Sequence, residues 1–113
     1  MSKATAAILA HHLEAFGVGV DALLEDYTED SVLMTPGANY EGLTEIRVFF
    51  TAFLDSLPPD LFDAFKISRK EVLGNVAYIV WEARPWIPLG TDTFIIKGGK
   101  IALQTFAAHA VPV

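Results

Sequence analysis

Cysteine is absent from this 113-residue chain, which excludes a disulfide framework and thiolate chemistry. Positive charge is scarce. Eight Lys and Arg stand against fourteen Asp and Glu, a formal net charge of -6. That balance argues against nucleic acid and anionic membrane surfaces as partners. The basic residues are also dispersed and form no patch. No apolar run approaches the roughly 18 residues of a membrane span. His11, His12 and Glu14 interrupt "MSKATAAILAHHLEAF", which therefore does not read as a secretory signal, and a cytoplasmic home is expected. His11, His12 and the distant His109 lack zinc-ligand spacing. Gly37, Gly42 and Gly74 are isolated and make no phosphate-binding loop. Ser31, Ser56 and Ser68 sit in no nucleophile-elbow context. Neither a metal nor a cofactor is expected.

What is present is apolar. Hydrophobic residues make up 52% of the chain and charged residues 19%. The length fits one domain, residues 1–113, around one core. A core of that size does not hide so much apolar surface, so the excess is expected to line a ligand cavity and to cover an oligomer interface.

The period predicts three helices, then strands. Ala6, Leu9, Leu13 and Phe16 fall at helical spacing within 2–16, and Gly17 and Gly19 stop that helix. Asp21 is placed to cap a second helix over 22–27. A short strand is expected over 31–35, ended by Pro36-Gly37, and then a loop over 38–42. The third helix, 45–56, carries Ile46, Phe49, Phe50, Phe53 and Leu54, and Pro58-Pro59 ends it. Strands are expected over 64–73 and 76–84. Pro85 and Pro88 flank an irregular connection containing Trp86. A hairpin then joins 91–97 to 100–109 across Gly98-Gly99. Helices followed by antiparallel strands predict an α+β domain.

Asp92 breaks the pattern. Alternation puts it on the same face as Phe94 and Ile96, where a carboxylate is costly unless it is hydrogen-bonded or protonated. Either it sits in a pocket with a raised pKa, or it caps a loop or pairs with Arg84 or Lys97. On the strand over 76–84, Ala77, Ile79 and Trp81 are placed inward.

The element order resembles the nuclear transport factor 2-like superfamily, in particular its small SnoaL-like and ketosteroid isomerase-like members. The resemblance is carried by "HHLEAFGVGVDALLEDYTEDSVLMTPG", "YEGLTEIRVFF" and "GTDTFIIKGGKIALQTFAAH" and spans nearly the whole chain. It implies three N-terminal helices packed on a strongly curved antiparallel sheet, the cystatin-like cone with an apolar pocket, and a homodimer through the outer sheet face. It puts Asp92 at the position of an oxyanion-donor acid, or of a cyclase acid/base, and His12 at that of a phenolic donor. The alternative for His12 is a surface or interface histidine beside His11. The isomerase's proton-shuttling carboxylate is replaced here by Thr35, which argues against steroid isomerisation by that route. Asp30 is read as a loop residue capping backbone amides.

The expected pocket walls are Phe16, Tyr27, Met34, Phe49, Phe53, Trp81, Trp86, Phe94, Gln104 and Phe106, around a small apolar molecule. The expected activity is proton transfer next to a carbonyl, as an isomerase, cyclase or dehydratase without a cofactor. The alternative is a binding module or a dimeric interaction protein with a vestigial pocket.

Overall fold

In the computed structural model, which describes residues 2–112, helix α1 runs Ser2–Phe16. Its buried stripe is Thr5, Leu9, His12 and Ala15, at steps of four, three and three. Of the expected stripe, Leu9 is buried, but Ala6 is exposed and Leu13 and Phe16 are half-buried, their places taken by the preceding residues. The rotation has polar causes. Thr5 Oγ1 donates to the Gly74 carbonyl at 2.7 Å, and His12 turns inward.

Helix α2 is Val20–Leu24, earlier than expected, and Gly19, at φ 148, precedes it. Asp21 is therefore no cap. It lies exposed in the first turn, 2.8 Å from Arg47 Nη1. Strand β1, Val32–Met34, pairs with β2, Asn39–Glu41, where a loop was expected. Helix α3 spans Gly42–Ser56 and buries Ile46 and Phe50. A short helix α4, Leu61–Ala64, follows Pro58-Pro59 and was not foreseen.

Four long strands complete the chain: β3 Phe65–Leu73, β4 Val76–Ala83, β5 Ile87–Lys97 and β6 Lys100–His109. β5 opens four residues earlier than expected and contains Pro88. That residue lies beyond Leu89↔His109, the last β5–β6 pair, so its missing N–H breaks no ladder bond to β6. The sheet order is β2-β1-β6-β5-β4-β3. It is antiparallel except at β1–β6, which is parallel, so the sheet is mixed. The ladders slip at Ile67/Arg69, Trp81/Ala83 and Ile95/Ile96, and such irregularities bend strands.

On β4 the expected parity holds. Ala77, Ile79, Trp81 and Ala83 are buried, while the residues between them are half-buried. They pack with Leu9, Leu23, Leu33, Ile46, Phe50, Phe94 and Ile101 into the hydrophobic core. Among the described residues, no helix is long and apolar enough to cross a membrane.

Candidate functional site

Asp92 lies in the middle of β5, opposite Ile79 of β4 and Phe106 of β6. Only 7% of its surface is exposed. Its partners come diagonally from both flanking strands. Trp81, paired with Gly90, donates from Nε1 to Oδ1 at 2.8 Å. Gln104, paired with Phe94, donates from Nε2 to Oδ2 at 2.7 Å. The Tyr27 hydroxyl in turn donates to Gln104 Oε1. A buried chain of polar groups thus runs from α2's far side, through β6, to β5.

The expected alternatives for Asp92 are not what the fold builds. Arg84 turns away and meets Glu82 at 3.1 Å, and Lys97 is exposed at the hairpin end. Among the described residues, no guanidinium or ammonium group meets the Asp92 carboxylate. Burial pushes its pKa up, and the Trp81 and Gln104 bonds and the nearby His12 only partly oppose that. Burial, with Asp92 and Asp26 behind it, also pushes the Tyr27 phenol well above 10, so Tyr27 remains a donor.

Trp81 reaches Asp92 because Gly90 has no side chain. A methyl at Gly90 would fall inside the indole ring. The strand glycine marks a close approach, and its place beside Asp92 fixes the angle of the Nε1–H.

Above Asp92 is a hollow of about 40 Å³ between the sheet, α1 and α3. Of the expected walls, Phe16, Phe49, Phe53, Trp81, Phe94, Gln104 and Phe106 line it, with Asp92 and His12. Leu13, Phe50, Phe65 and Ile79 line it too and had not been anticipated. Three expected walls lie elsewhere. Tyr27 is buried one layer behind, against Gln104. Met34 is 40% exposed, because in the three-residue β1 it is Leu33 that turns inward. Trp86 is half-buried against the core, outside the hollow.

The aromatic walls hold one another. Phe49 and Phe53 stack at 5.7 Å, and Phe53 and Phe106 meet edge to face at 5.2 Å. A wider, open depression of about 280 Å³ at Leu89, Thr91 and His109 has no buried polar group.

His12, not His11, faces inward. Its ring meets the rings of Tyr27, Phe50 and Phe94 edge to face, the last at 5.2 Å. Its Nδ1 is buried without a hydrogen-bond partner and lies 3.7 Å from Asp26 Oδ2. His11 is exposed, with Nδ1 2.8 Å from Asp26 Oδ1 and Nε2 3.4 Å from Glu25. Burial alone would raise Asp26, but the two histidines outweigh it and hold its carboxyl below the usual range. The Asp26 bond raises His11 correspondingly. Asp26 had not been singled out, because nothing local in "LLEDY" marks an aspartate whose partners lie on another helix.

Thr35 stands in a turn outside the hollow, where Oγ1 donates to the Ala38 carbonyl at 2.9 Å. Asp30 is exposed. The capping expected of it is done by its neighbours: Glu29 accepts from Leu43 N at 3.2 Å, and Ser31 Oγ from Thr28 N at 2.8 Å. Among the described residues, no group of three or more His, Cys, Asp or Glu could hold a metal ion.

No protein-family model matches the sequence, and no curated protein is detectably similar to it. Solved structures do match the fold. A candidate polyketide cyclase from Sinorhizobium meliloti superposes with a TM-score of 0.72 at 24% identity, over 88% of this chain and 93% of that one. A nuclear transport factor 2-like protein of unknown function from Burkholderia xenovorans gives 0.76 at 16% identity, over 98% and 87%. A candidate isomerase of the SnoaL-like family from Agrobacterium tumefaciens gives 0.70 at 15% identity, over 96% and 99%. At these identities the likeness establishes the fold: the chain has the nuclear transport factor 2-like fold, shared with candidate cyclases and isomerases.

Proposed function

We propose that the hollow binds a small apolar carbonyl compound and that Asp92 handles a proton at its oxygen. One observation carries this reading. A buried carboxyl group, with no cation against it among the described residues and its pKa raised by burial, forms part of the wall of an aromatic-walled hollow. Such a group is protonated more readily than a surface carboxyl and can donate to an oxygen that gains charge. The reaction class is proton transfer next to a carbonyl: isomerisation, cyclisation or dehydration. Solved structures of the same fold described as a candidate cyclase and a candidate isomerase support the class without naming a substrate.

The size of the hollow favours a second reading. About 40 Å³ is little more than one water occupies, whereas small-molecule sites commonly measure about 300–1,000 Å³. A ligand larger than that needs room that the walls, among them the half-buried Phe16, Phe53 and Phe106, must yield. Without that movement the chain is a binding module of narrow capacity, or an interaction protein with a vestigial pocket. Tyr78, Val80, Ile95 and Leu103, apolar residues of the outer parity on β4, β5 and β6, support self-association through that sheet face.

A thermal-shift screen with cyclic ketones, enones and fatty acids tests the binding claim, since a bound ligand raises the melting temperature. Asp92→Asn then separates the readings. An enzyme loses turnover and keeps affinity, while a binder keeps affinity with no turnover to lose. A flat screen across all three ligand classes would remove the small-molecule reading. Sedimentation velocity tests the dimer, and a monomer at all concentrations would refute it.

A further inference from the structure

We infer that His12 is the base of the hollow and that Asp26 is the residue that positions it. The inference rests on the proton-transfer reading above and supplies what Thr35 does not.

The geometry sets the tautomer. A neutral imidazole carries one N–H and one lone pair. His12 Nδ1 is buried, has no hydrogen-bond partner and faces Asp26 Oδ2 at 3.7 Å. A lone pair there would confront a carboxylate oxygen, and a proton there is attracted to it. Asp26 therefore favours Nδ1–H, which leaves the lone pair on Nε2, at the other end of the ring. His12 lines the hollow, and its Nε2 is not among the buried atoms left without a partner. Edge-to-face contacts with Tyr27, Phe50 and Phe94 hold the ring in place.

The charged and titratable groups around His12 are few. Asp26 and Tyr27 face it from the segment after α2, and Asp92 acts on it from β5. His11, on its own helix, shares Asp26 and also meets Glu25. The carboxylate of Asp26 faces Nδ1, and His12 shares the lining of the hollow with Asp92.

The step balances without a further reagent. Nε2 takes a proton from the carbon next to the carbonyl. The electrons of that C–H bond form a carbon–carbon double bond, and those of the carbonyl π bond move to oxygen, which takes the proton of the Asp92 carboxyl. The imidazolium returns its proton to a carbon further along the conjugated system, and the enol oxygen returns the other to Asp92. Nothing is oxidised or reduced.

Histidine-ring nitrogen NMR on the full chain, at a pH where the rings are neutral, tests the assignment without any substrate. The expected spectrum shows His12 protonated on Nδ1 in the wild type. In Asp26→Asn that preference falls at least tenfold. A wild-type ring protonated on Nε2 would overturn the inference, as would a tautomer unchanged in Asp26→Asn. The wild-type measurement alone decides the matter if the variant does not fold. A positive ligand screen with the wrong tautomer removes the role of His12 and leaves the functional reading standing. A flat screen with the expected tautomer leaves Asp26 as a positioning residue and removes the reaction.

Discussion

Replacing Asp92 separates the charge of this side chain from its hydrogen bonds. Asp92→Ala leaves Trp81 Nε1–H and Gln104 Nε2–H buried without an acceptor. Each stranded donor costs about 1–3 kcal/mol, so the expected loss from the two is about 2–6 kcal/mol. Asp92→Asn keeps one acceptor oxygen, and Trp81, which can only donate, must have it. The new amide NH2 then faces Gln104, whose own amide can turn over so that Oε1 accepts. Gln104 Nε2 now meets Tyr27, whose hydroxyl changes from donor to acceptor. The chain of bonds survives with its direction reversed.

Where Asp92 is ionised, two charge-assisted bonds become neutral, a loss of about 1 kcal/mol each that relief of the buried charge offsets; where it holds its proton, both bonds are neutral already. Asp92→Asn is therefore expected within about 1 kcal/mol of the wild type at pH 7. Urea denaturation of the two variants measures the contrast. The pH dependence gives a second check. The native pKa of Asp92 lies above its unfolded value of 3.8, so the native state takes the proton first as pH falls. The wild type then gains stability on Asp92→Asn, by at most about 1.4 kcal/mol per pH unit. That gain is complete below 3.8 and is lost as pH rises through the native value. Equal damage from Asn and Ala, or parallel pH profiles, would refute the account of a buried, uncompensated carboxyl.

Three other outcomes follow from the same geometry. Gly90→Ala drives a methyl into the Trp81 indole and is expected to cost about 1–3 kcal/mol, with a shift in tryptophan emission as Nε1 leaves Asp92. Ser31→Ala removes the hydroxyl that donates to the Ile101 carbonyl at 2.6 Å and accepts from Thr28 N, and is expected to lower stability by about 1–3 kcal/mol in urea. The Asp26–His11 pair shapes both pH limbs. The Asp26 contribution holds above 3.8 and is lost as pH falls through its lowered native value. The His11 contribution holds below 6.5 and is lost as pH rises through its raised native value. Asp26→Asn should flatten both limbs of a melting-temperature profile, and an unchanged profile would refute the pairing.

Helices α1 and α3, the four long strands and the closing hairpin were legible because long periodic segments carry a strong signal. Leu9 apart, the buried face of α1 departs from the apolar period because it includes Thr5 and His12, which hydropathy places outside. Their partners, Gly74 and Asp26, are 69 and 14 residues away. β2 has three residues, too few for any alternation to register. The start of β5 was hidden by Pro88, which is tolerated only because the neighbouring strand ends there. Alternation alone exposed Asp92 as anomalous. Its donors could not be named in the same way, since they depend on the register of two ladders. Met34 and Trp86 were expected in the hollow on size and aromaticity, and neither property says which way a short strand or a strand end turns.

The slip at Ile95/Ile96 has a consequence for how the last hairpin aligns. Ile96 pairs with Ile101, but Ile95 pairs with Leu103, so Ala102 is an extra residue on β6. In a regular alignment Gln104 would stand opposite Thr93 and point outward, and Asp92 would keep only its indole partner. The polar residues beneath the hollow therefore choose between two alignments that hydrophobicity alone separates weakly. Weakening them would first appear as conformational heterogeneity in the closing strand, while the rest of the sheet stayed folded.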